Sequence, residues 1–109
     1  MKTIQQALID EIHYPISVGF VENVMIKRGL NPEDEFDFDV SHSKEYMGAH
    51  ADCLYSLIQA INFSEADKSI GSLSDKQITA IISLMNKIYE AIGEEPKDVE
   101  LRPTVYIGG

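Results

Sequence analysis

The sequence predicts a mainly α protein: one four-helix domain with a short extended segment and an extended C-terminal tail. Three observations carry this expectation. Apolar residues recur at three- and four-residue spacing in four separate stretches. Capping residues precede those stretches, and glycine follows two of them. A chain of 109 residues is the length of one domain with one core. That domain spans residues 1–109, with the helical core over about 3–93 and the tail over about 97–109.

The first element begins at Thr3-Ile4-Gln5-Gln6, which has the form of a capping box. Ile4, Leu8 and Ile12, with Ala7 beside them, form one apolar face, and Pro15 is expected to end the helix. A second helix starts at Ser17 and buries Phe20, Val21, Val24 and Met25. Lys27 and Arg28 sit in its last turn, favourable to the helix dipole, and Gly29 closes it.

Asn31-Pro32 then opens a short turn over Glu33-Asp34-Glu35. Phe36, Phe38 and Val40 alternate with acids, which fits either a short extended segment or a surface loop pinned by the two Phe side chains.

Ser41 or Ser43 begins the longest helix, with Met47, Ala51, Leu54, Leu57, Ile58 and Ile61 along its stripe and Tyr46, His50 and Tyr55 at its flanks. Residues 62–73 lack a period and read as a connection. Connections of about a dozen residues are uncommon in compact domains and often functional. A second capping box at Ser74-Asp75-Lys76-Gln77 opens the last helix. Ile78, Ile81, Ile82, Met85, Ile88, Tyr89 and Ile92 give it the cleanest stripe in the chain, and Gly93 closes it. In the tail Val99, Leu101, Val105 and Ile107 would share one face of an extended segment, and Pro103 restricts that segment to an edge.

Charge narrows the function classes. With 18 acids against 9 bases the formal charge is -9. A nucleic-acid domain needs a basic footprint that displaces counterions from phosphate, and an anionic membrane attracts basic segments, so neither partner is expected. No stretch approaches the ~18 apolar residues of a membrane span. Cys53 is the single cysteine, so an intrachain disulfide is excluded; a reducing, cytoplasmic setting and a buried thiol are expected.

The chemistry-bearing residues do not assemble into a recognisable site. His42, His50, Asp52 and Cys53 lie within a dozen residues, but zinc needs three or four ligands and helix positions share a face only at three or four apart. His50 and Cys53 alone are an incomplete set, and as a nucleophile and base they lack an orienting group. Glu33, Asp34, Glu35, Asp37 and Asp39 read as a solvated acidic face; they lack the Gly and Glu positions of an EF-hand loop. Residues 68–72 carry too little glycine to cradle phosphate. No catalytic residue, metal, cofactor or small-molecule substrate is therefore expected. Apolar residues outside the helical stripes stand out instead: Phe36, Phe38, Phe63, Ile70, Leu73, Val105, Tyr106 and Ile107 either cap the core or form a protein-contact surface.

The order of these elements is familiar. Thr3-Ile4-Gln5-Gln6-Ala7-Leu8 opens a short helix, and a second helix follows. The central helix carries Ala49-His50-Ala51-Asp52-Cys53-Leu54-Tyr55-Ser56-Leu57-Ile58, the loop over 62–74 contains Ser64-Glu65, Gly71 and Ser74, and a last helix and an extended tail complete the order. This resembles the small helical head–tail connector, or head-completion, proteins of tailed bacteriophages and of prophages in gut Bacteroides-type bacteria. In that family a loop of the form Ser-Glu-x-x-x-x-x-Gly-x-x-Ser commonly joins the third and fourth helices. The sequence departs from it in following the loop at once with a capped helix, where many connectors place a longer extended excursion.

The resemblance implies a non-enzymatic virion component. It would oligomerise as a ring between portal and tail, with loops and tails reaching neighbouring subunits, in the host cytoplasm and then the virion. A negative lumen suits a passage that must not hold DNA tightly. A different class of reading is an acidic regulatory or inhibitor module whose residues 33–39 occupy a basic partner surface. A third, a small hydrolase or metalloenzyme, would need a pocket joining His50, Cys53 and a further group.

Overall fold

The computed structural model describes residues 2–14, 16–63 and 74–97, with only the backbone described at 60–63 and 75. Five helices lie among these residues: α1 (Ile4–Glu11), α2 (Val18–Lys27), α3 (Phe38–Ser41), α4 (Lys44–Phe63) and α5 (Asp75–Ala91). Four are the helices expected. α3 replaces the short extended segment.

Each long helix starts where a side-chain oxygen can take an N–H that the helix itself leaves unpaired. Thr3 Oγ1 accepts from the Gln6 N–H at 3.1 Å and Ser17 Oγ from the Phe20 N–H at 3.3 Å. Ser43, rather than Ser41, serves α4: its Oγ accepts from the Tyr46 N–H at 3.1 Å. At α5 the box is complete, Gln77 N–H donating to Ser74 Oγ and Ser74 N–H to Gln77 Oε1 at 2.8 Å.

α2 and α5 end alike. Gly29 and Gly93 adopt φ of 85° and 83°, the left-handed region closed to most L residues, and the chain reverses. The Leu30 N–H then reaches the Met25 carbonyl and the Glu94 N–H the Tyr89 carbonyl, each at 2.8 Å, completing Schellman motifs.

α1 stops at Glu11, with Ile12 already extended, before Pro15, which lies outside the described residues. Its start is capped a second time from a distance. The Ile4 N–H donates to the Asp34 carbonyl at 2.9 Å and the Gln5 N–H to the Pro32 carbonyl at 3.0 Å. The Phe36 N–H returns to the Lys2 carbonyl at 2.9 Å, and Thr3 and Glu35 form an isolated antiparallel bridge. The acid-rich segment is thus held to α1 by its backbone while its carboxylates stay outside.

Asp37 corrects the expectation for 36–40. Its side chain accepts from the Val40 N–H at 2.9 Å, so Phe38–Ser41 coils into a short helix. Alternation over five residues fits a capped turn as well as a strand, and a local Asp-to-backbone bond decides for the turn. Phe36 therefore points inward, half-buried against Tyr46 with ring centroids 5.1 Å apart, and Phe38 points outward.

One contiguous cluster of buried side chains joins α1, α2, α4 and α5, with Leu8, Val21, Met25, Cys53, Ile58, Met85 and Tyr89 fully enclosed. α4 is the central element and packs most extensively against α5. Its Ala49 and Ala51 are buried as well, which lets neighbouring backbones approach closely.

Two further corrections concern the stripes. Phe20, expected inside, is 36% exposed, because Val21, Val24 and Met25 already complete the buried face of α2. α4 continues through Phe63, so the connection does not begin at Asn62. The rest of that connection, 64–73, and the tail from residue 98 lie outside the described residues, as do Ile70, Leu73, Val105, Tyr106 and Ile107. No helix among the described residues is long and apolar enough to cross a membrane.

Candidate functional site

The densest polar constellation centres on Arg28, the C-cap of α2. Instead of merely facing the helix dipole, its guanidinium reaches two other elements. Nε and Nη2 donate to Asp52 of α4 at 2.8 and 3.0 Å. Nη1 and Nη2 donate to Glu94, just past α5, at 2.5 and 3.1 Å. Tyr89 Oη adds a bond to Asp52 Oδ1 at 2.6 Å.

Gly48 makes the room. A Cβ built there would stand 2.5 Å from Arg28 Nη1 and 2.6 Å from Cζ.

The partners set one another's charge. The hydrogen bond to Asp52, and then that to Glu94, holds the Arg28 proton more firmly than usual. Arg28 in turn lowers the Glu94 carboxyl below its ordinary value. Burial, and then the bond to Asp52, raises the Tyr89 phenol. Every polar group here has a partner, the one guanidinium being shared between two carboxylates, so the arrangement joins three elements. Removing a half-buried, charge-assisted link of this kind typically costs on the order of 2 kcal/mol.

The same joint fastens the chain after α5. The Lys97 N–H donates to Asn86 Oδ1 at 2.7 Å and the Asn86 amide returns a bond to the Lys97 carbonyl at 3.0 Å. The Lys97 ammonium lies 5.6 Å from the Tyr55 ring centroid and 5.2 Å from that of Tyr89. Residues 94–97 thus form a strap along α5, tied at both ends.

The suspected metal or nucleophile residues part company. His42 packs on Phe38, with ring centroids 4.3 Å apart, and Asp52 is taken up by Arg28 and Tyr89. Cys53 is fully buried; burial, with a smaller contribution from Asp52, pushes its thiol up to about 12, away from thiolate chemistry. His50 instead lines a cleft together with Glu11, and burial holds its imidazole below the ordinary range against an opposing pull from the Glu11 charge. Among the described residues no three His, Cys, Asp or Glu side chains converge to hold a metal.

Of the expected contact residues, Phe36 caps the core and Phe38 is 75% exposed. Three further apolar side chains, overlooked in the sequence, stand in solvent: Ile26 at 59%, Val18 at 55% and Leu84 at 45%. Helical spacing alone could have found Ile26 and Leu84, because both fall off the buried stripes of their helices. Glu33, Asp34, Glu35, Asp37 and Asp39 are all exposed.

Comparison with known proteins returns no match: no family model, curated protein or solved structure is similar to this chain.

Proposed function

We propose that this chain is a non-enzymatic structural protein of the head–tail connector type, working through contacts with copies of itself and with portal or tail proteins. The observation that carries the reading is the display of Phe38. Asp37 caps the turn beneath it, Ser41 Oγ donates to its carbonyl at 2.6 Å, and His42 supports its ring. An aromatic side chain held outward by a braced turn loses little entropy on docking, and aromatic anchors dominate contact energies. The strap over 94–97 adds a fixed starting point for the apolar residues that follow in the sequence. The resemblance in helix order and in the Ser64-Glu65 loop supports the same reading, in which the protein would work in the host cytoplasm and then the virion.

The test is co-sedimentation with an assembled tailed-phage portal ring, with and without Phe38→Asp. The chain is expected to pellet with the ring and the variant to remain in the supernatant. A chain that never pellets, or a variant that pellets equally, contradicts the reading.

A second reading has its own observation. The exposed carboxylates of residues 33–39 have no Lys or Arg anywhere between 29 and 43. We infer from this an acidic module that binds a basic partner surface. Its affinity for a polylysine peptide should then fall steeply with salt and vanish when these five acids become amides. Affinity that survives the amides removes it.

A further inference from the structure

We propose that the cleft between the end of α1 and the α4–α5 pair is a docking site for an arginine side chain of a partner protein. The cleft measures about 160 Å³. That is below the ~300–1,000 Å³ of pockets that enclose a cofactor or drug-sized molecule, and suits one long side chain. Its wall is apolar: Ile12 and Leu54 are buried beneath it and Leu84 stands exposed at its edge. Three methylenes laid on that wall would be removed from water at both surfaces.

The mouth carries a single carboxylate. Tyr46, itself buried, donates its hydroxyl to Glu11 Oε1 at 2.5 Å, which orients the group and leaves Oε2 open to a second donor. Among the described residues no Lys or Arg pairs with Glu11, whereas its neighbour Asp10 is taken by Lys2 at 2.9 Å. The rings of His13, Tyr14 and His50 also line the cleft. An apolar wall, an oriented carboxylate and ring faces complement a planar, weakly hydrated guanidinium better than a compact, strongly hydrated ammonium.

The site is independent of the Phe38 surface and of the connector reading, since it specifies one side chain and not the partner that bears it. The probe is acetyl-Leu-Arg-Leu-amide, titrated into the isotope-labelled full chain and followed by backbone amide NMR, beside counterparts with lysine or citrulline in place of arginine. The arginine peptide is expected to shift amides near residues 11–14, 50–54 and 81–84 saturably. The citrulline peptide should bind about tenfold more weakly, since it lacks the charge-assisted bond. Glu11→Gln, which keeps an acceptor for Tyr46, should reduce the arginine peptide to the citrulline level while preserving the rest of the spectrum, and Leu84→Ser should weaken all three peptides. Equal binding of the citrulline peptide makes the cleft a general apolar groove and overturns the proposal. So does equal binding of the lysine peptide, unchanged binding to Glu11→Gln, shifts confined to 33–39, or no shifts at all.

Discussion

Arg28 sits at the end of a helix, where a basic residue is expected for the dipole alone, yet it ties α2 to α4 and to the strap after α5. The consequence is measurable at Glu94. Arg28 holds its carboxyl below the ordinary 4.5, so the folded state binds that proton less readily than the unfolded chain does. The stabilising contribution is complete above the unfolded value and is lost as pH falls through the lowered folded value. A side-chain carbon titration should place Glu94 below 4.5 in the native protein and return it to the ordinary range in Arg28→Gln; a native midpoint at or above 4.5 contradicts the pair.

Gly48 supplies a second check at this scale. Alanine would favour the helix by about 1 kcal/mol, but its methyl would displace the Arg28 head, which can swing away because it ends a flexible side chain. Gly48→Ala is therefore expected to change stability by no more than about 1 kcal/mol and to release Glu94, read by thermal melting and the same titration. Neither residue's role was legible in the sequence. The partners Arg28, Asp52 and Glu94 are 24 and 66 positions apart, and only packing brings them together.

At the scale of elements the sequence was far more legible, because helix ends are decided by groups within a few residues of each other. Thr3, Ser17, Ser74, Gly29 and Gly93 all occupy the cap positions their residue types imply. The Ser74–Gln77 box gives a direct test: Ser74→Ala should lower stability by about 1 kcal/mol, seen as a reduced urea midpoint with an unchanged slope. No change would mean that packing alone starts α5.

Residues 36–40 failed the same kind of reading for a physical reason. Phe36, Phe38 and Val40 alternate as a strand would, but a strand needs a partner ladder, whereas Asp37 needs only the Val40 N–H three residues on. That correction also decides the candidate site, since it turns Phe36 inward and leaves Phe38 outward. Of the eight expected contact residues, only these two have described side chains.

The whole molecule divides its labour. Its helices direct most of their apolar residues into one shared core, and Cys53 is sealed within it as a thiol. Five of its 18 acids lie exposed in 33–39, where backbone bonds to α1 fix the segment without engaging its carboxylates. The concentration of acid in the connections was visible in the sequence; that Phe38 stands braced within it was not, and this gives the contact reading its physical basis.

The measurement closest to that reading is the solution mass by light scattering of the purified chain alone and mixed with a tailed-phage portal protein. A connector should yield a multiple of the 12.2 kDa protomer or a complex heavier than the portal ring, with Phe38→Asp abolishing the gain. A strict 12.2 kDa monomer that leaves the portal mass unchanged would contradict the account.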